Sequence, residues 1–328
     1  MATPTISVAL CTHNGAAYVR EQVESILRQT VPVTEIVLSD DASTDDTVAI
    51  VESTVAGWPV PRPVLRVIRN SRALGVVANF EQATASCTGE FISLSDQDDV
   101  WLEGKLEGLI GILVAEPDAL LVHSDAQLVD EKLHVLPDSL LESLETRSAE
   151  KRELLDGRSF QTLLRRNLVT GATVVFRRVL LEQARPFPKS WVHDEWLAII
   201  AAAITHTRLD TARLVLYRQH GANQIGAVTP TLDYKIGKLF EPRAGRNERL
   251  VERSRVLVER LTLAGDVIAP ERLDAARRKL AHERFRQGLP RWRVLRAPAV
   301  LAALLAGRYS RYSRGIPDAV RDLLQSAR

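Results

Sequence analysis

The stretch Phe91-Ile-Ser-Leu-Ser-Asp-Gln-Asp-Asp-Val-Trp101 decides the fold of this chain, because an apolar run passes directly into three carboxylates within four positions. The run 91–94 is typical of a buried strand. Carboxylates this close repel one another unless a cation lies among them, and a divalent metal that carries a diphosphate is the usual occupant of such a strand end. A solvated acidic turn is the alternative interpretation of the cluster taken alone.

Apolar runs, polar loops and amphipathic helices alternate along the first hundred residues. Strands are predicted at 6–11, 35–39, 65–68 and 91–94, and helices at 18–27, 47–55 and 76–85. Such alternation builds a parallel sheet with helices on both faces, and ligands gather at the carboxyl ends of its strands. The loops at 12–14, 40–41 and 96–98 each follow a predicted strand, so we expect all three to face one crevice. Further elements are predicted beyond residue 110, namely a strand at 120–124, a loop and strand at 167–176 and a helix at 194–205.

Several protein classes are disfavoured by the sequence. It contains neither a Gly-x-Gly-x-x-Gly turn nor a Gly-Lys-Ser/Thr phosphate loop, which argues against dinucleotide-dependent redox enzymes and phosphate-loop nucleotidases. The two cysteines, Cys11 and Cys87, lie in apolar segments and are expected to be buried thiols in a reducing compartment. No window reaches the about 18 apolar residues of a membrane-spanning helix, and no basic leader is present, so a cytoplasmic protein is expected.

The charge is unevenly distributed along the 328 residues. Residues 231–328 contain 22 Lys and Arg against 11 Asp and Glu, whereas residues 1–230 contain 21 against 30. The basic region favours an anionic partner. Trp292, Tyr309 and Tyr312 stand among its arginines, which favours a membrane surface on the inner face of the cell membrane. Packing on the enzyme body or in a homo-oligomer is the alternative for its apolar residues, and nucleic acid is not expected as a partner because the tail has no reading motif.

Five ordered motifs together resemble glycosyltransferase family 2, and within it the bacterial rhamnosyltransferase-type members. They are Ser7-Val-Ala-Leu-Cys-Thr-His-Asn-Gly15, Ile36-Val-Leu-Ser-Asp-Asp-Ala-Ser-Thr-Asp-Asp-Thr47, Leu94-Ser-Asp-Gln-Asp-Asp-Val-Trp101, His193-Asp-Glu-Trp196 and Tyr217-Arg-Gln-His-Gly221. The resemblance implies an α/β GT-A fold with a mostly parallel sheet over residues 1–230, divided into a nucleotide-binding half (about 1–110) and an acceptor half (111–230). A basic helical region would follow at 231–328.

The resemblance also implies a role for individual residues. Thr12, Asn14, Asp41 and Asp96 would bind the nucleotide, and Asp96, Asp98 and His220 would hold Mg²⁺ or Mn²⁺. Asp194 would be the catalytic base, although Glu195 follows it directly and could act instead. Helix capping for Asp194 and a structural role for His220 are the competing interpretations. The stretch Ala73-Leu-Gly75 departs from the family's Asn-x-Gly, which puts one donor contact in doubt.

These observations predict a metal-dependent inverting glycosyltransferase. The leading donor is dTDP-L-rhamnose, with a UDP-sugar as the alternative, and the acceptor is expected to be a saccharide linked to a lipid. Two other classes stay open, namely a nucleotidyltransferase, which would release pyrophosphate, and a non-catalytic protein that binds sugar nucleotides.

Overall fold

A computed structural model describes residues 4–220 and 244–325 of the chain. The chain forms two compact units. Within the described ranges, unit 1 comprises residues 4–159 and 168–220, and unit 2 comprises residues 160–167 and 244–325. The predicted boundary at residue 230 lies outside the described residues.

Unit 1 is built around one sheet in which nine strands are described. Their bounds are β1 Ile6–Thr12, β2 Glu35–Asp40, β3 Val64–Arg69, β4 Phe91–Ser95, β5 Val100–Trp101, β6 Ala119–Val129, β7 Val135–Ser139, β8 Val174–Arg177 and β9 His206–Arg218. The spatial order is β3-β2-β1-β4-β8-β6-β9-β5, and β7 pairs with β6. The strands from β3 to β4 are parallel, β6 also runs parallel to β9, and β8 is antiparallel to both β4 and β6.

The helices of unit 1 lie between these strands in the chain. They are α1 Val19–Leu27, α2 Thr47–Ala56, α3 Val76–Ser86, α4 Lys105–Ala115, α5 Leu140–Ser143, α6 Ser148–Leu155, α8 Leu181–Ala184 and α9 His193–Ile204, while α7 Ser159–Arg165 belongs to unit 2 apart from its first residue. Every residue of β1, β2 and β4 is buried, because helices cover both faces of the sheet there. The predicted α/β class with a GT-A-type sheet is confirmed, and both cysteines are free and buried as expected.

Unit 2 is helical over its described residues. Its helices are α10 Ala244–Leu263, α11 Pro270–Gln287, α12 Arg293–Leu305, α13 Arg308–Tyr312 and α14 Ile316–Leu324. A small apolar core includes Leu289, Val300, Ala303 and Tyr309. Among the described helices, none is long and apolar enough to cross a bilayer.

Part of the basic charge of unit 2 is compensated inside it. Arg286 is buried and pairs with Asp322 at 2.7 Å and with Glu283 at 3.1 Å, and the Tyr309 hydroxyl donates to Asp322 at 2.8 Å. Tyr309 and Tyr312 are both buried, so the expectation that they lie at an interface beside Trp292 is wrong. The Tyr309 ring belongs to the apolar core of this unit.

Candidate active site

The polar loops after β1, β2 and β4 meet at one edge of the sheet. The register pairs Thr12 with Asp40, and the Thr12 hydroxyl donates to the Asp40 carboxylate at 2.7 Å. The His13 amide donates to the Gln97 side-chain oxygen at 2.8 Å, and the Gln97 side-chain amide donates back to the His13 carbonyl at 3.1 Å. A Cβ on Gly15 would lie 2.2 Å from that same Gln97 oxygen, so a larger residue there would displace the Gln97 side chain from its bonds with His13.

Two of the predicted nucleotide-binding residues hold neighbouring loops in place. Asn14 has a left-handed φ of 49°, and its side-chain oxygen accepts from the Thr44 amide at 2.8 Å. The Asp41 carboxylate accepts from the backbone amides of Leu74 at 2.7 Å and Gly75 at 2.9 Å. Asp41 therefore fixes the turn before α3, the segment in which the sequence departs from the family pattern, and its side chain is buried.

The acidic loop after β4 is tied to the end of β9. His220 Nε2 lies 2.8 Å from Asp98 Oδ2, and the His220 ring stacks on Tyr18 with centroids 4.9 Å apart. Arg218 donates its backbone amide to Asp99 Oδ1 at 3.0 Å and its Nε to the Asp98 carbonyl at 2.7 Å. Two predicted metal-binding residues that are 122 positions apart in sequence are thus brought into contact.

The electrostatics of this loop favour a cation. Burial raises the pKa of Asp96 to about 7, and the Asp98 and Asp194 carboxylates add to this effect. Burial and the Asp98 and Asp96 carboxylates also raise the pKa of Asp99, whose buried Oδ2 has no hydrogen-bond partner within the described ranges. Carboxylate oxygens suit both Mg²⁺ and Mn²⁺, and an imidazole nitrogen shifts the preference towards Mn²⁺. As placed, however, the described residues contain no group of three or more His, Cys, Asp or Glu arranged to hold a metal.

Asp194 lies in the first turn of α9. Its Oδ2 accepts from the Gly171 amide at 2.8 Å, and its Oδ1 accepts from the Glu195 amide at 2.6 Å. The capping interpretation is wrong, because the helix begins at His193 and Val192 occupies the cap position. The preceding side chain, His193, is buried against Phe80 with ring centroids 3.8 Å apart, and burial lowers its pKa to about 3, so its imidazole is neutral near pH 7.

Lys105 is a site residue that the sequence reasoning missed. It opens α4 and is fully buried, with Nζ donating to the Ala172 carbonyl at 2.8 Å and lying 3.2 Å from the centroid of the Trp101 ring. Burial lowers its pKa well below the ordinary value, while Asp99 and Asp96 act in the opposite direction. The sequence pattern indicates its burial, because Lys105 precedes Leu109 and Leu113 by four and eight residues and so lies on the same apolar face of the helix.

Carboxylates at the carboxyl edge of a mostly parallel sheet, with a separate carboxylate on α9, are typical of α/β enzymes that act on nucleotide-activated substrates. The sequence model of "Glycosyl transferase family 2" matches residues 7–171, and the chain belongs to that family. Curated relatives from Nostoc sp. and Rickettsia typhi carry the name glycosyltransferase, at 26% identity each.

Several relatives and structures show how far the likeness extends. An uncharacterized protein of Mycobacterium bovis is 29% identical over 53% of this chain and 47% of its own length, so the chain spans about half of that relative. The dTDP-rhamnosyl transferase RfbG of Shigella flexneri is 24% identical over 66% of this chain and 74% of its own length.

Two solved structures share the fold. Staphylococcus aureus TarS 1–349 in complex with UDP-GlcNAc superposes with a TM-score of 0.57 at 15% identity, covering 97% of this chain and 89% of that one. The mannosyltransferase PcManGT of Pyrobaculum calidifontis, in complex with GDP-Man and Mn²⁺, superposes with a TM-score of 0.54 at 20% identity, covering 98% and 86%.

Proposed function

We propose that this glycosyltransferase moves L-rhamnose from dTDP-rhamnose onto a hydroxyl of a lipid-linked saccharide, with inversion at the anomeric carbon and with the help of a divalent cation. The observation that carries the proposal is the placement of two separate carboxylate groups. Asp98 is paired with His220, whereas Asp194 is held on another element by the Gly171 amide and is close enough to raise the pKa of Asp96.

The two groups support different steps of the transfer. Asp96, Asp98 and His220 would hold Mg²⁺ or Mn²⁺, which when bound would neutralise the charge that builds on the departing nucleoside diphosphate. Asp194 would accept the proton of the acceptor hydroxyl as the new bond forms. Of the two adjacent carboxylates, we assign the base to Asp194, whose Oδ2 is held in position by the Gly171 amide at 2.8 Å.

Three further side chains would shape the nucleotide pocket. Thr12, Asn14 and Asp41 lie at the sheet edge described above, and a carboxylate such as Asp41 accepts hydrogen bonds only. Thymine and uracil both present an N3–H donor to such an acceptor, so dTDP- and UDP-sugars are both consistent with it. The name of the Shigella relative favours dTDP-rhamnose, and the UDP-GlcNAc complex of TarS makes a UDP-sugar the alternative.

A lipid-linked acceptor would place the enzyme at the inner face of the cell membrane. The excess of arginine in residues 231–328 supports contact with an anionic surface.

The exchange Asp194→Asn tests the base. We expect donor binding, measured by calorimetry with dTDP-rhamnose and Mn²⁺, to change little, and the release of dTDP to fall by about a thousandfold or more. The matched exchange Asp118→Asn removes an exposed carboxylate of the same unit and should change neither quantity. Release of pyrophosphate from a nucleoside triphosphate would instead identify a nucleotidyltransferase, and full activity of Asp194→Asn would rule out this base.

A further inference from the structure

Helix α12 carries a row of exposed apolar side chains. Val294, Pro298, Leu301 and Leu305 recur at intervals of four, three and four residues, so they form one stripe along the helix. Val294 is 84% exposed, Leu305 is 88% exposed, and Trp292, which directly precedes the helix, is 74% exposed. A contiguous apolar surface of this kind marks an interaction site rather than a solvated helix. We call it the α12 face.

The opposite side of α12 is anchored, so the α12 face is held outward. Val300 and Ala303 enter the core of unit 2. The buried guanidinium of Arg296 donates to the carbonyls of Asp322 at 2.9 Å and Gln325 at 2.8 Å, and its Nε donates to the Pro290 carbonyl at 2.6 Å. Rolling the helix to cover its leucines would break these bonds and leave buried polar groups unsatisfied.

The charge around the α12 face has one sign. Residues 284–317 contain eight arginines and no aspartate or glutamate, and all of these arginines except the buried Arg286 and Arg296 are at least partly exposed. Arg291 and Arg293 flank the exposed Trp292, and Arg311 and Arg314 are also exposed. An apolar stripe bordered by arginines and an indole matches the chemistry of an anionic lipid interface, where apolar groups enter the acyl boundary and guanidinium groups meet phosphates.

We infer that the α12 face is a membrane-docking surface on which the helix lies in the plane of an anionic bilayer. A nucleic acid would satisfy the arginines but leave the leucines in water. A second copy of the chain would cover the leucines but bring arginines of two copies together. The inference rests on the proposed function to the extent that a lipid-linked acceptor explains why the enzyme docks, but the binding itself is measured without turnover.

Vesicle sedimentation of the 328-residue chain tests the apolar part. Wild-type protein should bind vesicles of phosphatidylcholine mixed with phosphatidylglycerol, and the double exchange Leu301→Gln/Leu305→Gln should weaken this binding by about tenfold or more. The control Leu263→Gln replaces an equally exposed leucine of α10, 84% exposed, and should bind like wild type. All side chains exchanged here are exposed, so each variant should keep the wild-type melting temperature.

The charge part is tested in the same assay. Arg291→Gln/Arg293→Gln should reduce binding to the mixed vesicles but not to phosphatidylcholine alone, whereas Arg277→Gln on α11 should have no effect. Equal binding by the leucine variant and wild type would overturn the inference. The inference would also be overturned if the wild type were a dimer in the absence of lipid and the leucine variant a monomer, since the α12 face would then bind a second copy.

The failure of this inference can be distinguished from failure of the proposed function. Hydrolysis of dTDP-rhamnose, in which water replaces the acceptor hydroxyl and dTDP is released, needs no vesicles and reports on the active site alone. If the wild type hydrolyses the donor but does not bind vesicles, the result counts against the α12 face only. Vesicle binding with no release of nucleoside diphosphate from dTDP-rhamnose or UDP-GlcNAc counts against the proposed function only.

Discussion

Replacement of Lys105 by methionine should destabilise unit 1 and slow the reaction. Methionine fills a similar volume but leaves the Ala172 carbonyl without its donor at 2.8 Å and removes the ammonium contact with Trp101. An unsatisfied buried carbonyl costs about 1–3 kcal/mol, and the lost cation–π contact adds about 1 kcal/mol. Burial of the Lys105 ammonium is itself unfavourable, which is why burial lowers its pKa, and the exchange removes this penalty. We therefore expect a net loss of about 2–3 kcal/mol in the free energy of unfolding.

The kinetic effect follows from the position of Ala172. This residue is adjacent to Gly171, whose amide holds Asp194, so loosening of the turn should misplace the carboxylate. Misplacement by a fraction of an ångström lowers kcat more than donor affinity, and we expect kcat to fall by about tenfold or more with a nearly unchanged KM for the donor.

Urea unfolding and steady-state release of dTDP measure the two effects. The matched exchange Lys132→Met removes an exposed lysine from the same unit and should change the free energy of unfolding by less than about 0.5 kcal/mol. If Lys105→Met has the wild-type free energy of unfolding and the wild-type kcat, the role assigned to Lys105 is refuted.

Two further predictions concern the same region. Gly171→Ala places a methyl group 3.0 Å from His193 Nε2, so we expect the free energy of unfolding to fall by about 1–3 kcal/mol and kcat to fall as well. In the control Gly111→Ala, the new methyl group meets no atom within 4 Å, so this exchange should be neutral or stabilising in urea unfolding. Because the pKa of Asp96 is raised from 3.8 to about 7, the folded state keeps a proton between these pH values that the unfolded state has released; stability in EDTA should therefore fall as the pH rises through this range, by at most about 4 kcal/mol. Thermal unfolding should show this slope in the wild type and a flatter profile in Asp96→Asn, and an equal slope in both would contradict the assignment.

The alternating first hundred residues were predictable because each strand there is a short apolar run followed by turn residues. Strands predicted at 35–39 and 91–94 are observed at Glu35–Asp40 and Phe91–Ser95. The strand predicted at 120–124 is longer in the structure and extends to Val129. The extension was not predictable because it contains polar residues, and its pairing partners β7 and β9 lie later in the chain. The antiparallel pairing of β8 with β4 and β6 could not be predicted, because partner choice depends on contacts distant in sequence.

Motifs that carry charge placed distant residues of the candidate site together, whereas charge that is buried in the fold was not predicted. Asp98 and His220 were assigned to one site, and the structure places them 2.8 Å apart. Lys105 escaped notice because lysine is almost never fully buried, and Tyr309 was assigned to an interface because arginines surround it in sequence. Sequence neighbours do not reveal that the Tyr309 hydroxyl has a buried acceptor in Asp322.

The mutual hydrogen bonds between His13 and Gln97 have a thermodynamic consequence for ligand capture. Together with the bond between Asn14 and the Thr44 amide, they set the conformation of the loops during folding, before any nucleotide arrives. Little conformational entropy is then left to lose on binding. If the proposed donor is correct, selection between one activated sugar and another would therefore come from direct contacts with the base and the hexose rather than from differences in how far the loops become ordered.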